Sequence, residues 1–273
     1  MPVISTNTAA NSALNYLNNN SSQESNLLSQ LASGSRITQA SSDAAGLAIG
    51  TQLQASVTTY TQDQTNVQQG SAILQTADGA LAQISNILQR MMSLATEAAS
   101  GQVTNTQRSQ DINTEYTQLQ SEITSIVSGT RYAGQNVLSG SFLSNVKFLV
   151  GTTSSDTISV TVSSVSLTSL GVTGSVKTAA TALTAITNLN SAINTVTKER
   201  ASIGAYESRF NFSLQDIQTN VQNVSAAQSV IMDADVAQVK STLSSTDVKT
   251  QAAVAALTQA SQLPQELLRL IQG

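Results

Sequence analysis

Few side chains in this 273-residue sequence could do chemistry, and those that could are scattered. There is no His and no Cys, which removes the commonest general base, the commonest metal ligand and every thiolate site. Carboxylates and guanidiniums remain. Asp233 and Asp235 could begin a cation site, but two carboxylates without further oxygen ligands hold a hard cation poorly. A helix cap or a solvated break is the plainer reading. Arg200 and Glu207 interrupt an apolar stripe; they could pair with each other or across helices and fix register, or lie solvated where a bundle widens. Asn211 and Asn223 each open an Asn-x-Ser triplet, but inside a helical pattern, so the triplets read as coincidence. With no convergent acid, base or metal set, the chain is read as no enzyme, with no cofactor and no metal.

Composition points the same way. Only 10% of the residues are charged, against roughly 25% in an average domain, and Ser, Thr, Asn and Gln take up the difference. Such surfaces suit packing against copies of themselves without burying unpaired ions. A net charge of −4, without clustered Lys and Arg, argues against nucleic acid. No apolar run approaches the ~20 residues of a membrane span. Met1 to Leu17 lacks the basic and apolar regions of a cleaved signal, so secretion would need a dedicated route.

The positioning elements are long helices. From Ala182 to Ile231, steps of four and three reach Ala182, Ile186, Leu189, Ile193, Val196, Arg200, Ile203, Glu207, Phe210, Leu214, Ile217, Val221, Val224, Gln228 and Ile231; twelve of these fifteen are apolar. A period of 3.5 held this long predicts a coiled-coil helix of roughly 75 Å. The matching stripe is Val67, Gly70, Leu74, Ala77, Leu81, Ile84, Leu88, Met91, Ala95 and Ala98. Asp43, with Ser41 and Ser42, predicts the start of this second helix. After a break at 99–103, Asn105 or Thr106 caps a further helix through Val127.

At 146–162 the period falls to 2: Val146, Phe148 and Val150, then Ile158, Val160 and Val162, a β-hairpin that must lie on the helices. Residues 163–178 read as a surface connector exposing hydroxyls, the one place open to insertions. The two ends are thinly apolar helices, marginal alone in water: Leu14, Leu17, Leu27, Leu28 and Leu31 in one, Val236, Val239, Leu243, Leu257, Leu263, Leu267 and Leu270 in the other. Gly34 stops the first, and Pro264 interrupts the second. The predicted fold is mostly α, an elongated antiparallel coiled-coil helical bundle with one small β-hairpin.

LASGSRITQASSDAAGLAIG from Leu31 resembles bacterial flagellin, as do LQRMMSLATEA from Leu88, SGTRYAGQNVLSG from Ser128, the FLVG before the hairpin turn, IMDADVAQV from Ile231 and ALTQASQLPQELLRLI from Ala256. The motifs stand in the family's order. The resemblance implies that 1–42 with 233–273 form an inner terminal coiled coil lining a filament channel, and that 43–232 form the next shell. About ten residues, 170–179, stand where many members carry large outer domains, so this resembles a minimal form.

The function implied is a filament subunit for swimming motility, extracellular, exported unfolded through the flagellar export apparatus and added at the distal tip beneath a cap. Its ends would order on assembly, and an export chaperone would hold Val236 to Ile271. Leu88, Gln89, Arg90, Leu94 and Glu115 match the patch that the animal flagellin-sensing Toll-like receptor recognises; alternatively Leu88 is core and the polar members touch the next subunit. Met92 and Ser93 stand where the family usually has an Arg-Glu pair. Ser and Thr at 152–178 are O-glycosylation candidates by the same resemblance, or a plain polar surface. The other readings are a hook-filament junction protein and a secreted adhesin or effector.

Overall fold

The computed structural model describes Asn7–Gln272, and at 263–268 and 270–272 its backbone alone. In order come α1 (Thr8–Ser33), α2 (Ala44–Ala99), the short α3 (Asn105–Gln107), a π turn (Arg108–Ile112), α4 (Asn113–Gly129), β1 (Arg131–Tyr132), β2 (Gln135–Asn136), β3 (Val146–Leu149), β4 (Thr157–Val160), α5 (Ala179–Met232) and α6 (Val236–Gln272). This is a mostly α bundle with a small hairpin, as the sequence periods predict.

Contacts divide the chain into two units, one of Met1–Val57 with Asn223–Gly273 and one of Thr58–Gln222. The division falls inside α2 and α5, so the start of α2 and the end of α5 count with the first unit and the rest of each with the second.

In the second unit every predicted heptad position of α2 from Val67 to Ala98 is buried. On α5 the ladder splits. Ala182, Leu189, Val196, Ile203, Phe210 and Ile217 are fully buried, whereas Ile186, Ile193, Leu214 and Val221 between them are half-buried. Ala185 and Ala192 are buried as well, so the seam on α5 is two positions wide per heptad up to Val196 and one position wide from Ile203 to Ile217. Between the stripes the helices are rich in hydroxyls that bond their own backbone: Thr65, Thr76, Thr96, Thr195 and Thr219 each donate to the carbonyl four residues back at 2.8–3.2 Å. Self-satisfied hydroxyls leave a surface with little unmet polar demand.

β3 and β4 pair antiparallel with Val146 opposite Val160 and Phe148 opposite Ile158. The Phe148 ring meets Phe210 of α5 edge-on, centroids 5.3 Å apart. That contact seats the hairpin on the helices. A second hairpin with two-residue strands, β1–β2, turns at Ala133 and Gly134, both at positive φ; four residues are too few to reveal a period of 2 in the sequence.

Three expectations need correction. Residues 163–178 expose most of their hydroxyls, as expected, but they are more than a surface connector. Val165, Leu170, Val172 and Val176 are buried, the Val165 amide donates to the Leu138 carbonyl at 3.1 Å, and Gln120 Nε2 donates to the carbonyls of Val172 and Gly174 at 2.7 and 2.8 Å. Four apolar residues spread among polar ones have no period to announce them, yet each finds a pocket. Second, Thr104 caps α3, not Asn105 or Thr106. Its hydroxyl accepts from the Gln107 amide while Gln107 Oε1 accepts from the Thr104 amide, a reciprocal capping box. Third, α6 continues through Pro264. Its lost bond is replaced from outside the helix, as described below.

Candidate functional site

The groups that could meet a partner are the charged, polar and apolar side chains that the fold leaves at the surface. In the second unit, α2 and α4 bring Arg90 beside Glu115. Arg90 Nε and Nη2 both reach Glu115 Oε1, at 2.8 and 2.7 Å, and both side chains are exposed. Leu88 and Leu94 lie in the core, because both fall on the inward side of α2. Of the five residues the family resemblance groups together, the structure therefore presents Gln89, Arg90 and Glu115 at the surface and uses the two leucines to hold them.

Arg200 does not pair with Glu207 but reaches across to α2. Its Nε donates to Asp78 Oδ1 at 2.8 Å and its Nη2 to Oδ2 at 3.2 Å, a bidentate match of fork to carboxylate. The hydrogen bond to Asp78 raises the guanidinium's pKa further. Glu207 is pushed up instead, by burial and then by the negative charge of Asp78. One helical seam thus holds one satisfied cation and one reluctant anion.

Two charged side chains buried in the same unit gave no signal in the sequence. Arg108 donates to the carbonyls of Ala98, Ser100 and Val103 and to Asn105 Oδ1; the last carbonyls of α2 have no intrahelical partner and attract a cation. Asp63 is only 1% exposed and its Oδ2 has no hydrogen-bond partner among the described residues. Burial, with the nearby Asp156 charge second, raises its pKa. Both look like surface residues in the sequence, because charge alone does not reveal burial.

In the first unit α1 packs along α6. Among the described side chains the pair buries little: Ala13 on α1, and Val239, Thr246 and Ala260 on α6. Of the predicted terminal residues, Leu17, Leu27, Leu31, Leu243 and Leu257 are half-buried, Leu14, Leu28 and Val236 are exposed, and Val239 is buried. Leu263, Leu267 and Leu270 lie outside the described side chains.

Where the two connectors of this unit meet, Gly34–Arg36 lies antiparallel to Met232–Ala234. The Arg36 amide donates to the Met232 carbonyl at 2.7 Å, the Ala234 amide to the Gly34 carbonyl at 2.9 Å, and the Arg36 guanidinium to the Ile231 carbonyl at 2.9 and 3.2 Å. Gly34 terminates α1 in the left-handed conformation, as the sequence predicts. Asp43 accepts from the Gly46 amide at 2.7 Å and so caps α2. Asp235 caps α6 through the amides of Ala237 and Gln238, and Asp233 accepts from Ser229 Oγ. Both carboxylates of the supposed cation pair are thereby occupied. Among the described residues no three His, Cys, Asp or Glu converge on one point, and no helix is long and apolar enough to cross a membrane.

Known proteins share this plan. Residues 4–143 match the bacterial flagellin N-terminal helical region and 186–271 the C-terminal helical region. The chain is 31% identical to the flagellar filament 30.7 kDa core protein of Treponema maltophilum, covering 98% of this chain and 99% of the relative. It is 30% identical to the flagellin of Bacillus subtilis over 98% of this chain and 99% of that protein. The crystal structure of Bacillus cereus flagellin superposes with a TM-score of 0.50 at 34% identity, covering 60% of this chain and 94% of that one. The junction and effector readings gain no support from these likenesses.

Proposed function

This chain belongs to the bacterial flagellin family, in a form without large outer domains, and we propose that it polymerises with copies of itself into the extracellular filament that propels a swimming cell. It is a structural filament protein and not an enzyme. The observation that carries the proposal is the thinness of the α1–α6 pair. Leu14, Leu28, Val236, Val248 and Val254 remain 43–63% exposed on helices that, among their described side chains, bury few residues. Burying a large aliphatic side chain is worth about 1.5–3 kcal/mol, so stacked copies supply what the single pair lacks.

In this reading 1–42 with 233–273 form the inner shell and 43–232 the next. The termini order on assembly, and before assembly a flagellin export chaperone holds Val236 to Ile271 while the export apparatus and cap deliver the chain to the tip. Gln89, Arg90 and Glu115 are then a contact for the neighbouring subunit, and the same patch is what a host flagellin-sensing Toll-like receptor would meet on free subunits.

Seeding purified protein with short filament fragments under mild salting-out tests the polymer. Long uniform tubes by electron microscopy are expected, and caps at fragment ends alone would restore the junction reading. Trypsin tests the ordering: Arg36, Lys240, Lys249 and Arg269, all exposed, are cut in the monomer and spared in the polymer. Equal protection in both states would refute coupled ordering.

A further inference from the structure

One step of four before Val67, the buried stripe of α2 continues into Asp63, on the same side of the helix and as buried as Val67 itself. The β3–β4 hairpin lies across this stretch of α2. Asn66 Nδ2 donates to the Leu149 carbonyl at 3.5 Å. Tyr60, one turn before Asp63, lines a groove with Val150, Gly151 and Asp156 of the hairpin turn. The charge that Asp63 feels there is of its own sign, that of Asp156. Asp156 is held in place: its Oδ2 accepts from the Thr153 amide at 3.1 Å and packs over Gly151, where a Cβ would come within 2.7 Å of it. Across the groove α5 presents Arg209 and Asp216, and Tyr60 is the other ionisable group on this side of α2. Among the described residues Asp63 Oδ2 has no hydrogen-bond partner, and no third carboxylate joins the pair into a metal site.

An unpaired buried carboxylate is relieved in one of two ways, by taking up a proton or by reaching water. A proton leaves the hairpin where it is. Water reaches Asp63 only when the hairpin turn lifts. We propose that Asp63 is a proton-operated catch for the β3–β4 hairpin, closed while its carboxyl is protonated and loosened when it ionises against Asp156. Burial, with the Asp156 charge second, raises the pKa of Asp63, so the seated hairpin holds the proton more tightly than the lifted one. Lifting therefore becomes easier as pH rises through the raised value. The edge-on contact of Phe148 with Phe210 carries no charge, so the motion is confined to the turn end of the hairpin, 149–157.

Amide hydrogen exchange of the full chain tests this, with rates corrected for the intrinsic dependence of exchange on pH. The reporter is the Val150 amide, bonded to the Asp156 carbonyl at 2.8 Å; the reference is the Val165 amide of the same unit, bonded to the Leu138 carbonyl at 3.1 Å. From about pH 4 to about pH 7.5 the protection of Val150 is expected to fall by about tenfold or more, a factor of ten for each unit by which the pKa is raised. Val165 is expected to lose less, and in Asp63→Asn the fall at Val150 is expected to disappear. Protection of Val150 that ignores pH, an equal loss at Val165, or a fall retained in Asp63→Asn overturns the proposal. Protection restored at the higher pH by adding calcium to the wild-type chain would make a metal ion the occupant, and that also overturns it.

Discussion

Asn7 Nδ2 donates a 2.6 Å hydrogen bond to the carbonyl oxygen of Ala260, the carbonyl that lies four residues before Pro264. In an uninterrupted helix that oxygen would accept from the amide of residue 264, and proline has none. The same Asn7 side chain caps α1, its Oδ1 accepting from the Ala10 amide at 3.0 Å. One amide thus opens one helix and completes the other.

The two roles separate by mutation. Asn7→Asp keeps the cap and loses the donor, whereas Asn7→Ala loses both and is expected to cost about 1–2 kcal/mol. In a Pro264→Ala background the helix satisfies the Ala260 carbonyl itself, so the Asn7→Asp penalty is expected to vanish. A double-mutant cycle on filament thermal stability reads this; an undiminished penalty in the Pro264→Ala background would show that the Asn7 bond has nothing to do with the proline.

Asp63 and Glu207 make the second unit more stable in mild acid. Both carboxyls have folded-state pKa values raised by burial. The folded form therefore holds protons that the unfolded form has released, and unfolding free energy falls as pH rises. Their stabilising contribution is complete below the ordinary carboxylate values of 3.8 and 4.5 and is lost as pH climbs through the raised ones. Asp63→Asn is expected to stabilise at pH 7 by about 1–3 kcal/mol and to be near neutral around pH 4. A constant difference across that range, by thermal melts, would refute it.

Gly70 is the one position in the α2 stripe without a side chain. A Cβ there would come within 2.9 Å of the Phe210 ring and 3.2 Å of Phe148, the two rings that seat the hairpin. Gly70→Ala gains helix propensity of about 1 kcal/mol, yet overpacking a filled core costs about 1–3 kcal/mol. A net loss in urea unfolding is expected, larger still for Gly70→Val.

Arg108 tests how far a buried cation is satisfied by neutral carbonyls. Arg108→Met keeps the bulk but strands the oxygens of Ala98, Ser100 and Val103, and is expected to destabilise by about 2–4 kcal/mol. Hydrogen exchange should show the end of α2 and the π turn opening first; unchanged protection there would mean that the bonds contribute nothing.

The helical stripes, the hairpin and most helix ends were legible in the order of residues alone. These follow from local rules: a side chain's face is set by its position within a period of 3.5 or 2, and a cap by residues three apart. The stripe from Val67 to Ala98 and the alternating strands around Phe148 and Ile158 could be read for that reason. The family too was legible, because its motifs lie in these same local segments. Which partner each exceptional residue takes was settled only by the folded chain. Arg200 chose Asp78 over Glu207, residues 163–178 found pockets without any periodic pattern, and α6 passed Pro264 because an amide 253 residues away reaches its open carbonyl. Those outcomes depend on groups that meet only after the chain has folded back, so no local pattern encodes them.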